Sequence, residues 1–312
     1  MEVPAFFSRS AEADGVGLVL SGGGAKGAYQ AGAWKAMAEL GLAERVRAIS
    51  GTSIGAINAA AFATLRDPAA VEKFWMEGVG KAADVRRPTQ DLLEAAAAGF
   101  AEGKMFPLPG ALDRSGLEGM LRRLLPETWP EGGPAVWATA LECRGDVFRV
   151  AERESYALRR FRVDAEPDPE RRIRILLASA AIPWGFDPVE IDGATYVDGG
   201  WEEMGGDNTP IDPVLRHPGL RTVVVVRLDS EEAEPDARRL PRTLRRRIVE
   251  IRPSETLPGP LDPLGAVVAR GGGSKTKLAR ALRVWSGVFA FRSDYAAKSF
   301  ALGHADALAR LG

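Results

Sequence analysis

The sequence predicts an α/β protein, a mostly parallel sheet covered by helices. Three observations predict it. Strand, glycine turn and helix follow one another twice between Val16 and Leu65, which is how parallel strands joined by crossover helices are written. Directly after the first turn, Tyr29, Ala33, Trp34, Met37 and Leu40 recur at helical spacing. Thr222 to Leu228 reads as an apolar strand, interrupted only by Arg227, typical of a strand covered on both faces.

Taken in order, Val16 to Leu20 reads as a short buried strand and Ser21 to Gly24 as a glycine turn. Ala25 to about Leu40 reads as a helix stopped by Gly41. Val46 to Ser50 is the second strand, Gly51 to Gly55 a sharp turn, and Ala56 to Leu65 an alanine-rich helix. Residues 66–132 are expected to be mostly helical, with breaks at Pro88, Pro107 and Pro109. Residues 135–143 and 146–151 read as a hairpin around Gly145 and Asp146. A helix over about 168–181 ends at Pro183, and Ile191 to Val197 reads as turn and strand.

Between 229 and 247 an acidic cluster (Asp229, Glu231, Glu232, Glu234, Asp236) meets an arginine-rich one (Arg238, Arg239, Arg242, Arg245 to Arg247), which reads as an exposed excursion. Residues 254–276, with Gly271 to Gly273, read as loop. About Lys275 to Leu311 is expected to be helical, with a break near Gly287. With no internal repeat and no clean boundary, residues 15–312 are expected to form one domain behind an N-terminal extension, 1–14.

Composition narrows the function. Of 312 residues, 46% are hydrophobic and 27% charged, ordinary for a soluble globular protein. Lys plus Arg number 41 against 42 Asp plus Glu, a net charge of −1, so no global field argues for nucleic acid or a strongly anionic surface. Cys143 is the only cysteine; it excludes an internal disulfide, fits a reducing compartment and reads as structural. Met1 to Asp14 lacks the pattern of a signal peptide, and no apolar run reaches the ~18 residues of a spanning helix. A cytoplasmic protein is expected, peripheral on a membrane at most. His217 and His304 are the only histidines, which leaves little for a metal site. No metal and no cofactor are expected.

The chemistry concentrates in three places. Gly51-Thr52-Ser53-Ile54-Gly55 lies between strand and helix, the context of a nucleophile elbow. Its glycines permit a turn tight enough to push the Ser53 hydroxyl out of the sheet, at a helix N-terminus where partial positive charge favours a developing anion. Ser21 leads into Gly22-Gly23-Gly24-Ala25-Lys26-Gly27, which also follows a strand and opens a helix. Bare N–H groups there suit either a phosphate or an oxyanion. A P-loop would need Gly-Lys-Ser/Thr, which is missing. A dinucleotide site would want an acidic residue at the end of the next strand, where Ser53 stands instead. The oxyanion hole is the better reading. Third, Asp198-Gly199-Gly200 ends a strand-like run. Neither His217, in a polar turn, nor His304, in the last helix, sits in a constellation, so a Ser53–Asp198 dyad is better supported than a triad with histidine.

In order, these three motifs resemble the patatin-like phospholipases. The resemblance extends to Ala178-Ser179-Ala180-Ala181-Ile182-Pro183 with Phe186 and Pro188, to Asn208 and Pro210, and to Gly303-His304-Ala305-Asp306-Ala307, where relatives often carry an aromatic at the His304 position. It implies a three-layer α/β/α sandwich. Ser53 is then the nucleophile, Asp198 the base, and Gly22 to Gly24 with neighbouring N–H groups hold the oxyanion. The implied activity is hydrolysis of acyl esters in a lipid or lysolipid.

Two departures stand out. Trp201 to Asp207 lengthens the rim beside Asp198, and Trp184 follows Pro183 where relatives often have glycine. Transient membrane contact has a candidate in Trp285, Val288, Phe289 and Phe291 near Lys275, Lys277, Arg280 and Arg283. Two rival functions remain. One is an esterase with a triad of Ser53, Asp198 and His217 or His304, although only about 50 residues precede the serine, little room for the usual leading strands. The other is a nucleotide-binding module built on Gly22 to Gly27.

Overall fold

The computed structural model describes residues 15–79, 113–145, 152–183, 185–229, 248–257 and 293–312. Their strands form one eight-stranded sheet. β1 (Gly15–Leu20) lies between β2 (Val46–Thr52) and β7 (Leu220–Val226), parallel to both. β8 (Ile248–Ile251) extends the parallel set beyond β7. On the other side β2 runs parallel to β3 (Ala135–Cys143).

At β3 the sheet forks. β4 (Tyr156–Arg162) is antiparallel to β3 along Trp137–Cys143 and so occupies one whole edge of it. Two strands must therefore share the other edge. β2 pairs with Ala135 to Thr139, and β6 (Ala194–Asp198) pairs antiparallel with Ala140 to Cys143. β2 and β6 thus meet end to end, and β5 (Val189–Ile191) continues from β6 as an antiparallel neighbour.

Alternation along the strands divides the core. Val16, Leu18 and Leu20 of β1 join Val224 and Val226 of β7 in the larger cluster. Val19, Val223 and Val225 point to a smaller one, closed by Ile211 and Val214. The larger cluster takes α1 (Ala28–Glu39), α2 (Ile54–Leu65), α3 (Pro68–Lys73), α4 (Ser115–Leu124), α5 (Pro169–Ser179) and α7 (Ser293–Leu311). The smaller is covered by α6 (Asp212–Leu215). The fold is an α/β/α sandwich with a mixed, mostly parallel sheet, as the sequence predicts.

Local chemistry explains where the helices begin. Asp67 and Asp168 cap α3 and α5, accepting from the N–H groups of Ala69 and Glu170, with proline at the first helical position in each. α1 differs from the one-sided helix its spacing suggests. Ala28 to Ala33 are buried all round, because the sheet lies on one side and α7 on the other. Backbones touch at that crossing: a Cβ on Gly32 would stand 1.9 Å from the Phe300 carbonyl oxygen, and one on Gly303 would stand 2.0 Å from that of Tyr29.

Other expectations shift. The antiparallel partner of β3 is Tyr156–Arg162; the strand expected at 146–151 lies outside the described residues. So do the extension 1–14, the breaks at Pro88, Pro107 and Pro109, Trp184, nearly all of 229–247, most of 254–276, and the candidate membrane patch. Among the described residues no helix is long and apolar enough to cross a membrane.

Candidate active site

The two sequence turns open at one edge of the sheet, because Leu20 pairs with Gly51 in the β1–β2 register. Strand ends of this kind are where α/β proteins place their ligands. Ser53 sits in the second turn with φ 57° and ψ −126°, a conformation that costs about 1–3 kcal/mol and persists only where the surroundings enforce it. The flanking glycines allow the enforcement. A Cβ on Gly51 would stand 2.2 Å from the Gly55 carbonyl oxygen, and one on Gly55 would stand 2.3 Å from that of Leu20. Thr52 and Ile54 hold the turn from either side: the Thr52 hydroxyl donates to the Asp207 carbonyl at 2.7 Å, and Ile54 is buried at the start of α2.

A residue with no assigned role in the sequence completes this turn. The N–H of Ser53 donates to Ser179 Oγ at 3.0 Å, and the Ser179 hydroxyl donates to the Thr139 carbonyl at 2.6 Å. Ser179, wholly buried at the end of α5, thereby ties the elbow to β3. The stretch Ala178 to Pro183 carries the family resemblance, but it does not disclose this role, since one partner lies in the serine turn and the other on β3. Ser179→Ala is expected to leave the Ser53 amide buried without an acceptor. Chemical denaturation should show a loss of about 1–3 kcal/mol, and kcat should fall by ~10–100-fold as the hydroxyl drifts from its productive position.

Asp198 arrives by way of the fork. Thr52 is level with Thr139 and Asp198 with Ala140, so the last residue of β6 abuts the last of β2. The carboxyl of Asp198 is buried. One oxygen accepts from the Gly200 N–H at 2.7 Å, while Oδ2 has no hydrogen-bond partner among the described residues. Burial pushes the Asp198 pKa up from 3.8 to about 6, against smaller opposing effects from the nearby Ser53 hydroxyl and the Gly200 amide. The hydroxyl thus lies close enough to be felt electrostatically but stops short of a formed hydrogen bond. Apo sites often show this looseness before substrate tightens them. Gly199 fits where a side chain does not, as its Cβ would stand 2.2 Å from the Thr139 carbonyl oxygen.

The glycine loop lies across from this pair. The Gly22 N–H is committed to the Asn208 carbonyl at 3.1 Å, so Gly22 serves by leaving room. A Cβ there would stand 2.4 Å from Asn208 Oδ1 and 3.2 Å from Ser53 Cβ. Gly24 to Gly27 form a single helical turn, in which the Lys26 N–H donates to the Gly23 carbonyl at 3.3 Å; Ala25 and Gly27 are buried. No described residue accepts from the N–H of Gly23 in a turn or loop bond, nor from that of Gly24.

The lengthened rim is ordered against β2. The Asp207 N–H closes it onto the Gly199 carbonyl at 2.8 Å, and Ser50 Oγ donates to the Pro210 carbonyl at 2.5 Å. Neither histidine joins the site. His217 packs edge-on against Trp137, just before β7 begins, and His304 pairs with Glu39 at 2.7 Å at the end of α1. Both lie toward the start of the parallel strands, away from Ser53.

An α/β/α sandwich with a strained serine turn beside a buried carboxylate is the frame of a hydrolytic enzyme. A family model described as patatin-like phospholipase matches residues 18–215. The chain belongs to that family. Among solved structures it is similar to VipD from Legionella pneumophila, at 17% identity and TM-score 0.42 over 93% of this chain and 67% of that one. It is also similar to human GIVD cytosolic phospholipase A2, at 12% identity and TM-score 0.40 over 70% and 46%. A third is the ExoU–SpcU complex of Pseudomonas aeruginosa, at 16% identity and TM-score 0.35 over 92% and 52%. The chain spans about half the length of the latter two. No curated protein matches it.

Proposed function

We propose that the chain cleaves acyl esters of a phospholipid or lysophospholipid through a Ser53–Asp198 dyad. The observation that carries this is the end-to-end meeting of β2 and β6 on β3, which brings a strained serine beside a buried carboxylate. Asp198, with its pKa near 6, is ionised at neutral pH and remains basic enough to take a proton. As Ser53 Oγ bonds to the ester carbonyl carbon, its proton passes to Asp198 and the carbonyl oxygen becomes an oxyanion. The N–H groups of Gly23 and Gly24, with the N-terminus of α2, are the donors assigned to it in this reading. The C–O bond to the alcohol then breaks, and Asp198 returns the proton to the leaving oxygen. Water repeats the sequence on the acyl-enzyme, restoring Ser53.

Residues 15–312 are taken as one hydrolase domain. In support, β1 pairs with β7 and the last helix packs on the first. The substrate implies visits to a lipid surface.

The test is a panel of phospholipids, lysophospholipids and p-nitrophenyl esters, with fluorophosphonate labelling in parallel. Hydrolysis blocked by the label supports the proposal; a chain that neither hydrolyses an ester nor takes the label would end it. The double variant His217→Gln with His304→Gln separates dyad from triad. Most of the activity should survive, and a loss above ~10²-fold in a folded double variant would favour histidine as the base.

A further inference from the structure

Beneath the glycine loop runs a polar chain sealed from solvent. Gln30 and Asn58 are 0% exposed and Trp75 is 2% exposed. Trp75 stands in the turn after α3, and its Nε1–H donates to Asn58 Oδ1 at 2.9 Å. Asn58 Nδ2 donates to the Gly27 carbonyl at 3.0 Å and to Gln30 Oε1 at 2.8 Å. Gln30 Nε2 donates to the Ser21 carbonyl at 2.8 Å and, at 3.4 Å, to that of Val226.

The chain has only one self-consistent direction. An indole N–H only donates and backbone carbonyls only accept. Asn58 must therefore turn its oxygen to Trp75 and its nitrogen to Gly27. Gln30 must then offer its oxygen to Asn58 and its nitrogen to Ser21. Flipping either amide would set donor against donor.

Its two grips are the two ends of the loop. Ser21 precedes the glycines and Gly27 closes them, and both carbonyls are held from below. A carbonyl held in place holds its whole peptide plane, so the planes Ser21–Gly22 and Gly27–Ala28 are both fixed and the span between them, Gly23 and Gly24 included, is hung from two set points. Satisfying backbone carbonyls explains single bonds in this chain, but not why three side chains are linked into one path between the two ends of the loop. Apolar side chains of the same shape fill a core as well or better, whereas a buried polar chain is costly unless every bond is made.

We propose that Trp75, Asn58 and Gln30 are positioning residues that hold the glycine loop in register with Ser53, so that its middle N–H groups face the oxyanion. The inference rests on the reading of that loop as an oxyanion hole.

The test uses the full chain with Gln30→Met, Trp75→Phe and a control, Ile57→Val. Ile57 is buried in α2 beside Asn58 and is apolar. Active enzyme is counted by fluorophosphonate titration, kcat and KM are measured on a p-nitrophenyl ester, and affinity is measured for an alkyl boronic acid, which forms a tetrahedral adduct with a serine. Gln30→Met is expected to lower kcat ~10²-fold and Trp75→Phe ~10-fold, with KM within about 2-fold, since the lost register matters in the transition state. Boronate affinity should fall in step with kcat. Ile57→Val should lower the melting temperature without changing kcat. Trp75→Phe keeps the ring in place, so the test survives if Gln30→Met fails to fold. Unchanged kcat per active site in Trp75→Phe, or a rise in KM alone, overturns the inference while leaving the dyad intact. Hydrolysis that persists in Ser53→Ala overturns the site itself and the inference with it.

Discussion

Ser53→Ala is expected to abolish ester hydrolysis and fluorophosphonate labelling while the fold survives. Loss of a serine nucleophile in a hydrolase can cost up to ~10⁶ in kcat, since no second group takes over the covalent step. The fold has little to lose. The Ser53 side chain forms no complete hydrogen bond among the described residues, and the backbone strain at φ 57° is borne by alanine as by serine. Stability by urea denaturation should stay within about 1 kcal/mol of wild type. An alanine variant that hydrolyses esters at the wild-type rate would remove Ser53 from the mechanism.

Asp198→Asn should split activity from stability. With the proton acceptor gone, kcat should drop by ~10²–10⁴. Stability should move the other way at neutral and alkaline pH. The folded pKa of Asp198, about 6, lies above the ordinary 3.8, so folding favours the protonated acid. That contribution is fully present below the unfolded value and is lost as pH rises through about 6. At about pH 8 wild type holds a buried carboxylate at a cost on the order of 2–3 kcal/mol, whereas the amide carries no charge. The variant should therefore unfold at higher urea than wild type at about pH 8, and the gap should close toward about pH 4. The same group is expected to set the acid limb of activity: kcat/KM of wild type should rise with pH through about 6. A pH-independent stability difference would show that Asp198 does not carry the raised pKa.

Both catalytic candidates are legible in the sequence because each stands beside glycines at a strand end, although the contacts that require those glycines, Leu20 against Gly55 and Thr139 against Gly199, come from other strands. Val223 to Val226 are equally plain, since a strand covered on both faces needs apolar residues throughout. Their adjacency is a different matter. It comes from the register on β3, where Thr139 ends one partner and Ala140 begins the other, and neither motif contains that information. β4 hides because Arg159, Arg160 and Arg162 break the apolar pattern; its strand exists through pairing with β3. Gly22 looks like a donor from its position in the glycine run, yet the partner that takes its N–H, Asn208, arrives from a distant loop. Ser179, Gln30 and Asn58 share that obscurity, because each acts on backbone atoms contributed by other segments.

The fork in the sheet also orders events in time. A ribosome releases Ser53, then β3, and only much later Asp198. The pairing of β1, β2 and β3 uses no residue of β6, and without β6 the serine turn stands beside an empty length of β3 edge. Until β6 docks there, the growing polypeptide has Ser53 without Asp198 beside it. Under the proposed dyad, the chemistry has to wait until that later strand fills the gap beside Ser53.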